Sequence, residues 1–152
     1  MQLPYLKQNC DLTLNEGLKI HYSVDLTFKE NVKIVPAFYN HDIAHVLFGL
    51  TTAVEHESLV DTRIIFGTNW GFKKYLNDYF KNPDALKIIM AIFKDIGYIK
   101  GIILSLKSLP AFFRIIIDCK RMSKKWELNP TDDLLNTKLS DLRREYNITI
   151  IN

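Results

Sequence analysis

The sequence predicts a mainly α-helical single domain, and three observations support this fold class. The chain has 152 residues and 47% hydrophobic side chains, enough for one core that buries about two thirds of the unfolded surface. After Pro36, apolar side chains recur mostly at helical spacing. Helix-breaking residues divide this region at Gly49, at Gly67 and at Asn82-Pro83. We therefore expect one helical bundle over residues 1–152.

A pair of helices joined by a tight turn is predicted at about residues 37–66. The first helix ends at Gly49, which suits the left-handed position that closes many helices. Thr52 and Glu55 have the spacing of a capping box, with Thr52 as the N-cap of the second helix. The second helix, from about residue 53, then runs back beside the first.

Apolar and aromatic residues dominate the helices that follow. The aromatic stripe at 70–81 is more typical of a core than of a ligand pocket. In the apolar helices at about 84–122, the first helix has only a narrow polar stripe and is predicted to be nearly buried. Its apolar residues are Ile88, Ile89, Met90, Ile92, Phe93 and Ile96.

An alternative is that part of this apolar surface faces lipid. Cations would then meet anionic head groups while the apolar side enters the membrane interface or holds an isoprenoid tail. These cations are Lys94, Lys100, Lys107, Arg114, Lys120 and Arg121. Because charges recur every six or seven residues, no stretch approaches the ~20 apolar residues that span a bilayer.

The two ends of the chain differ in their signals. A C-terminal helix is predicted at about 130–146, with Asn129 as N-cap and Pro130 in the first turn. Its buried seam would contain Leu135, Leu139, Leu142 and Tyr146, and its negative end would attract Arg143 and Arg144.

The N-terminal residues 1–17 resemble a loop. From Leu18 to Lys29, apolar and polar residues alternate, which indicates a short β-strand or an extended arm with His21 on its solvated face.

Four side chains near residue 45 form a candidate metal site. His41 and His45 lie about 40° apart around a helix, and Asp42 is expected in the same arc. The tight turn brings Glu57 back to face His45. Imidazole nitrogens and carboxylate oxygens bind divalent cations such as zinc, and one coordination position would remain open. The sequence therefore predicts His41, Asp42, His45 and Glu57 as metal ligands.

Neighbouring residues leave alternatives open. Asp61, four residues after Glu57, is either a group that orients a ligand or an ordinary surface carboxylate. His56 and Glu55 point away from Glu57 and are expected to be solvated. The spacing also resembles the His-Glu-x-x-His helix of zinc proteases, but Asp42 is shorter than Glu and reaches less far toward a metal-bound water. A His-Asp phosphohydrolase is disfavoured because His21 and Asp118 are poor candidates for the additional ligands.

The motif resembles that of the coenzyme Q biosynthesis protein 4 family, as a short member. The family has His-Asp-x-x-His, then eleven residues and Glu, and His41-Asp42-Ile43-Ala44-His45 with Glu57 matches without a gap. Lys125-Trp126-Glu127 and the segment Leu142–Ile148 are similar to the closing residues of the family. The similarity covers roughly residues 30–150.

The resemblance implies a helical protein that binds a divalent metal, zinc first, with iron, manganese and magnesium as alternatives. It implies isoprenoid lipids or a prenylated quinone precursor as ligands, and a cytoplasmic, peripheral position on the inner face of the membrane. Expected partners are a second copy or other quinone-biosynthesis proteins. The activity would be C1 decarboxylation with hydroxylation of the precursor ring. The alternative is a lipid carrier or scaffold with a structural metal.

Composition excludes several other classes. A net charge of +3 without an Arg-rich, aromatic-interleaved run argues against a nucleic-acid-binding protein. Cys10 and Cys119 lack metal-binding spacing and favour a reducing compartment. The N-terminus has no signal-peptide pattern. No Gly-x-Gly-x-x-Gly turn indicates a flavin or nicotinamide cofactor.

Overall fold

A computed structural model describes residues 3–24 and 26–151. Within the helices it leaves eleven side chains undescribed, and predictions for Leu26, Phe28, Glu55, Ile92 and Phe93 fall on these and lie outside the described side chains. A 3₁₀ turn at Pro4–Leu6 precedes ten helices in the described part of the chain. They are α1 (Leu14–Val24), α2 (Leu26–Ile34), α3 (Ala37–Phe48), α4 (Val54–Gly67), α5 (Gly71–Phe80), α6 (Pro83–Ile96), α7 (Tyr98–Lys107), α8 (Leu109–Arg121), α9 (Asp132–Leu135) and α10 (Leu139–Glu145). The mainly α-helical prediction is confirmed.

The N-terminal strand prediction is wrong, because α1 and α2 occupy that region. A capping box that the sequence analysis missed starts α1: the Thr13 hydroxyl accepts from the Glu16 amide, and the Glu16 carboxylate accepts from the Thr13 amide. Leu14, Leu18 and His21 then lie on one buried helical face. The helix forms in place of the predicted strand because a lone strand has no partner for its backbone hydrogen-bonding groups, whereas the helix satisfies them internally.

Close packing of α1 on α3 depends on Gly17. A Cβ atom at this position would lie 2.5 Å from Val46 Cγ1 and 3.3 Å from Leu139 Cδ1. Glycine therefore lets the two helices approach closely, with α10 beside them. The core continues from this contact through Ile43, Ile64, Ile115 and Trp126, which contribute from α3, α4, α8 and the segment after α8.

The predicted helix pair is confirmed as α3 and α4. Gly49 closes α3 with φ 64°, in the left-handed region. The predicted N-cap at Thr52 is wrong: Ala53 occupies that position and makes no side-chain capping bond. Thr51 instead orders the turn, because its hydroxyl accepts from the Ala53 amide and contacts His56 Nδ1 at 2.8 Å.

The apolar helices α6–α8 are less buried than the sequence predicted. In the first of them, Met90 is exposed, and Ile88 and Ile89 are only partly buried. Across the three helices, eight described apolar side chains are each between 46% and 77% exposed: Met90, Ile99, Ile102, Ile103, Leu106, Leu109, Phe113 and Ile117. We call this set the exposed apolar face. No helix in the described residues is both long enough and apolar enough to cross a bilayer.

The predicted C-terminal helix is broken into α9 and α10. Asn129 is not its N-cap: it has φ 60° and exchanges hydrogen bonds with Asn40 of α3, and Thr131 takes the capping position. The seam residues Leu139, Leu142 and Tyr146 are buried as predicted, while Leu135 is partly exposed.

Arg143 lies in the last turn of α10, as predicted, but its side chain binds the end of a different helix. Its guanidinium is 1% exposed and donates to the carbonyls of Val46 and Leu47 at the end of α3. It also donates to the carbonyls of Tyr5 and Lys7. This side chain therefore joins three distant segments of the chain.

Candidate metal centre

Two neighbouring helices bring three predicted ligands together. His41 and His45 lie one turn apart on α3, and Glu57 lies in the first turn of α4. His41 Nε2 is 3.5 Å from Glu57 Oε2, and His45 Nε2 is 3.4 Å from Glu57 Oε1. One ligand atom from each residue lies within 4.8 Å of the others. We call these three residues the triad.

The triad has the spacing that a cation needs. Two ligand atoms about 2.1 Å from a tetrahedral ion lie about 3.4 Å apart, which is close to each histidine–glutamate distance. The two histidines face different oxygens of Glu57, and one atom from each of the three residues lies within 4.8 Å of the others, so small side-chain shifts would complete the site. Two imidazoles and one carboxylate form a donor set typical of catalytic zinc sites, where a fourth position stays open for water or substrate. The residues therefore fit a divalent cation.

Burial falls off across the triad. The His45 side chain is 2% exposed and that of Glu57 is 38% exposed, so the open side faces solvent near α4. Behind the triad, His45 Nδ1 is 3.4 Å from the Leu50 carbonyl, which fixes the ring and directs Nε2 toward Glu57.

The triad residues have perturbed protonation. Burial lowers the pKa of His45, which keeps its imidazole neutral and ready to bind a cation. Burial also opposes charge on His41, but the carboxylates of Asp61 and Glu57 outweigh it and raise the pKa of His41 to about 9. In Glu57, burial is outweighed by the neighbouring His45 and His41, and the pKa is lowered. The metal-free centre therefore holds a proton on His41.

Asp61 lies beside the triad, which agrees with the prediction that it orients a ligand and not with the alternative of an ordinary surface carboxylate. Its Oδ1 is 3.6 Å from His41 Nε2, and its carboxylate also interacts with the Tyr75 hydroxyl. Asp61 therefore contacts the same histidine nitrogen that would bind the cation, and it is held in place from α5.

The structure does not bring Asp42 into the triad. Asp42 Oδ1 lies 3.5 Å from His21 Nε2 of α1, on another side of α3. The expectation of a solvated His21 is wrong, because this residue is fully buried. The Tyr5 hydroxyl lies 3.3 Å from His21 Nδ1, and the His21 ring stacks on His45 with centroids 5.3 Å apart. Asp42 thus braces the buried ring behind a triad ligand.

An aromatic wall closes the other side of the triad. The Tyr79 ring lies 6.2 Å from that of His41, and it also contacts Phe38, Trp70 and Tyr75 at centroid distances of 5.6, 5.7 and 4.8 Å. The prediction that the aromatic stripe is core is only partly confirmed: Trp70, Tyr75 and Tyr79 are buried, but Phe72 and Phe80 are 60% and 53% exposed. The proximity of the two tyrosines to the metal site had no local sequence signal, since it depends on how α5 packs on α4.

The remaining candidates lie elsewhere. His56 Nδ1 accepts from the Thr51 amide at 3.1 Å and takes no part in the triad. Asp118 lies 3.7 Å from Arg63. A groove of about 440 Å³ lies between the start of α3 and the end of α5, without any triad member. It is lined by Val35, Pro36, Ala37, Asn77, Asp78, Lys81, Asn82 and Pro83.

Comparison of the chain with known protein families, curated proteins and solved structures found no match. The family resemblance therefore depends on the sequence motif, of which three of the four ligand positions converge in space.

Proposed function

We propose that this protein binds a divalent cation through His41, His45 and Glu57 and acts on a prenylated hydroxybenzoate in ubiquinone biosynthesis. The observation that carries this proposal is the convergence of the triad at ligand spacing from two helices. Three protein ligands leave a position for a substrate oxygen. The bound cation would act as a Lewis acid on a carboxylate or phenol oxygen of the aromatic ring.

The proposed reaction removes the C1 carboxyl group and hydroxylates the same carbon. The bond from the ring to the carboxyl carbon breaks, carbon dioxide leaves, and one atom of dioxygen becomes the new hydroxyl oxygen. The second oxygen atom is reduced to water by two electrons and two protons from an external donor. The protein residues orient the substrate carboxylate beside the triad, and the Tyr79 and Phe38 rings exclude water from one side.

The exposed apolar face supports a lipid partner. Its eight apolar side chains lie on three consecutive helices and are each at least 46% exposed, and exposed apolar residues concentrated in this way often mark an interaction site. Six cations on the same three helices, Lys94, Lys100, Lys107, Arg114, Lys120 and Arg121, are exposed. We propose that α6–α8 lie on an anionic membrane surface, where the isoprenoid tail of the substrate is available.

The second candidate is a lipid carrier or scaffold in which the metal is structural. The same exposed apolar face favours it, because lipid binding requires no chemistry at the triad. The two functions differ in what happens to a carboxyl-labelled substrate.

Cation binding and turnover test the two candidates together. Titration with Co²⁺ should show one site in the wild-type protein, and Glu57→Gln should weaken binding about tenfold or more because it removes the anionic ligand. Glu30→Gln is the matched control, since this exposed glutamate of α2 pairs with Lys33. Unchanged affinity in Glu57→Gln would refute the triad as a metal site.

Release of labelled carbon dioxide from a prenylated 4-hydroxybenzoate, in the presence of dioxygen and a reductant, would support the enzyme. Lipid binding with no release from the cobalt- or zinc-loaded protein would favour the carrier.

Co-sedimentation with anionic vesicles tests the membrane contact. Lys100→Glu with Lys107→Glu should reduce binding severalfold, since each basic residue near the surface contributes about 1 kcal/mol. Lys19→Glu with Lys29→Glu, on α1 and α2, is the control for net charge. Equal losses in both double variants would indicate a charge effect that has nothing to do with the exposed apolar face.

A further inference from the structure

Tyr79 carries an unusual hydroxyl group. The residue is 3% exposed, and its hydroxyl oxygen makes no hydrogen bond within the described part of the chain. Buried hydroxyl groups are normally paired, because burial removes the water that would otherwise bind them. Nearby tyrosines follow this rule: the Tyr5 hydroxyl contacts His21, and the Tyr75 hydroxyl interacts with Asp61. The unpaired hydroxyl of Tyr79 is therefore an exception that calls for a ligand.

The position of the ring relates this hydroxyl to the triad. The Tyr79 ring stacks on Tyr75 at 4.8 Å between centroids, with an interplanar angle of 26°. On its other sides it meets Phe38 and Trp70 edge-on or tilted, and it lies 6.2 Å from the ring of His41. Four aromatic rings thus hold the phenol in one orientation next to a proposed ligand of the cation.

The phenol of Tyr79 is a donor at neutral pH. A tyrosine hydroxyl has an ordinary pKa of about 10, so the group stays protonated and can offer an O–H to an anionic oxygen. A hydrogen bond to a charged oxygen in a dry site is stronger than one between neutral groups.

We propose that the Tyr79 hydroxyl donates a hydrogen bond to the carboxylate or phenolate oxygen of a ligand bound at the His41–His45–Glu57 centre. This inference rests on the proposed function, since it assumes a cation and an aromatic acid at that centre. The ligand class is an aryl carboxylate: its oxygen occupies the open position, and its ring lies against the aromatic wall. Tyr79 is then a ligand-contacting residue that selects for an oxygen acceptor.

The test uses the full chain loaded with Co²⁺ and 4-hydroxybenzoate as probe. The visible absorption of the bound cobalt should change as the probe enters its coordination sphere, which reports probe binding without turnover. In Tyr79→Phe we expect cobalt affinity within about twofold of wild type and probe affinity about tenfold lower or more, from the loss of one hydrogen bond to a charged oxygen. Tyr146→Phe is the matched control, because Tyr146 is also 3% exposed and its ring lies tilted against that of Trp126, away from the triad.

Thermal melting separates a ligand contact from a structural role. Removing a buried hydroxyl without a partner should leave the melting temperature of the metal-free protein unchanged or higher. A lower melting temperature in Tyr79→Phe would overturn the inference, because it would show that the hydroxyl has a partner within the fold.

The other outcomes distinguish the inference from the proposed function. Absence of cobalt binding to the wild-type protein would refute both. Cobalt binding with no spectral response to 4-hydroxybenzoate would refute the ligand class and the role of Tyr79 while leaving the metal centre intact. Equal probe affinity in wild type and Tyr79→Phe would refute the inference alone.

Discussion

The raised pKa of His41 predicts that cation affinity at the proposed centre depends steeply on pH. The metal-free centre holds this proton with a pKa of about 9, against an ordinary value of 6.5. At about pH 7 only about one molecule in a hundred has a neutral His41, because each unit below the pKa costs a factor of ten. Since a cation must displace this proton, the apparent binding constant should rise about tenfold per pH unit up to about pH 9. His45 adds nothing to this slope because its pKa is lowered.

Asp61→Asn is the variant that tests the cause of this pH dependence. The Asp61 carboxylate is the largest contribution that keeps the proton on His41, so its removal should lower that pKa. The slope between about pH 7 and about pH 8 should then fall from about one toward zero. Competition with a chromophoric chelator measures Co²⁺ affinity at each pH. The slope is the diagnostic quantity, since the lost carboxylate also weakens attraction of the cation. The same slope in both proteins, or none in wild type, would refute the reasoning.

Three further predictions concern stability, measured by urea or thermal unfolding. Gly17→Ala should destabilise by about 1–3 kcal/mol despite the better helix propensity of alanine, because the new Cβ would lie 2.5 Å from Val46 Cγ1; an increase would contradict the packing of α1 on α3. Arg143→Met should cost about 3 kcal/mol or more by leaving the carbonyls of Val46 and Leu47 without their donor, and exposed Arg144→Met is its control. With chelator present, stability should decrease from about pH 6.5 to about pH 9, because a raised pKa stabilises the fold only while His41 stays protonated.

Local signals were sufficient for the helix pair and for most of the candidate metal centre. The four-residue spacing of His41 and His45, together with Gly49 at the end of α3, fixes the histidine face and the return of the chain. Glu57 then needs only to lie on the near side of α4. Each of these features is encoded within a few residues, which is why the sequence could predict three candidate ligands that converge in space.

Asp42 shows why the fourth ligand could not be predicted in the same way. Adjacent residues on a helix are about 100° apart, so Asp42 faces a different neighbour from His41. That neighbour is α1, which carries His21, and the alternating pattern at Leu18–Lys29 concealed this helix. The Thr13–Glu16 capping box was the local signal that could have revealed it.

Long-range contacts explain the remaining errors. Asn129 has a left-handed backbone conformation, and Asn40, 89 residues away, holds it with two hydrogen bonds. The Asn40 side chain donates to the side-chain oxygen of Asn129 and accepts from its backbone amide. The side chains of α6–α8 are apolar enough to predict burial, but the number of helices available to cover them depends on the whole fold. No local pattern could show that Met90 and Ile99 would remain exposed.

The contacts of Arg143 have a consequence for the order of events during protein synthesis. The donor for the Val46 and Leu47 carbonyls is made 97 and 96 residues after them. Synthesis proceeds at about 5–20 residues per second, so Arg143 is added about 5–20 s after the last turn of α3. Until then, the carbonyls of that turn lack their donor. A nascent chain interrupted in that interval would contain every residue of the triad. It would still lack the Arg143 hydrogen bonds that stabilise the end of α3.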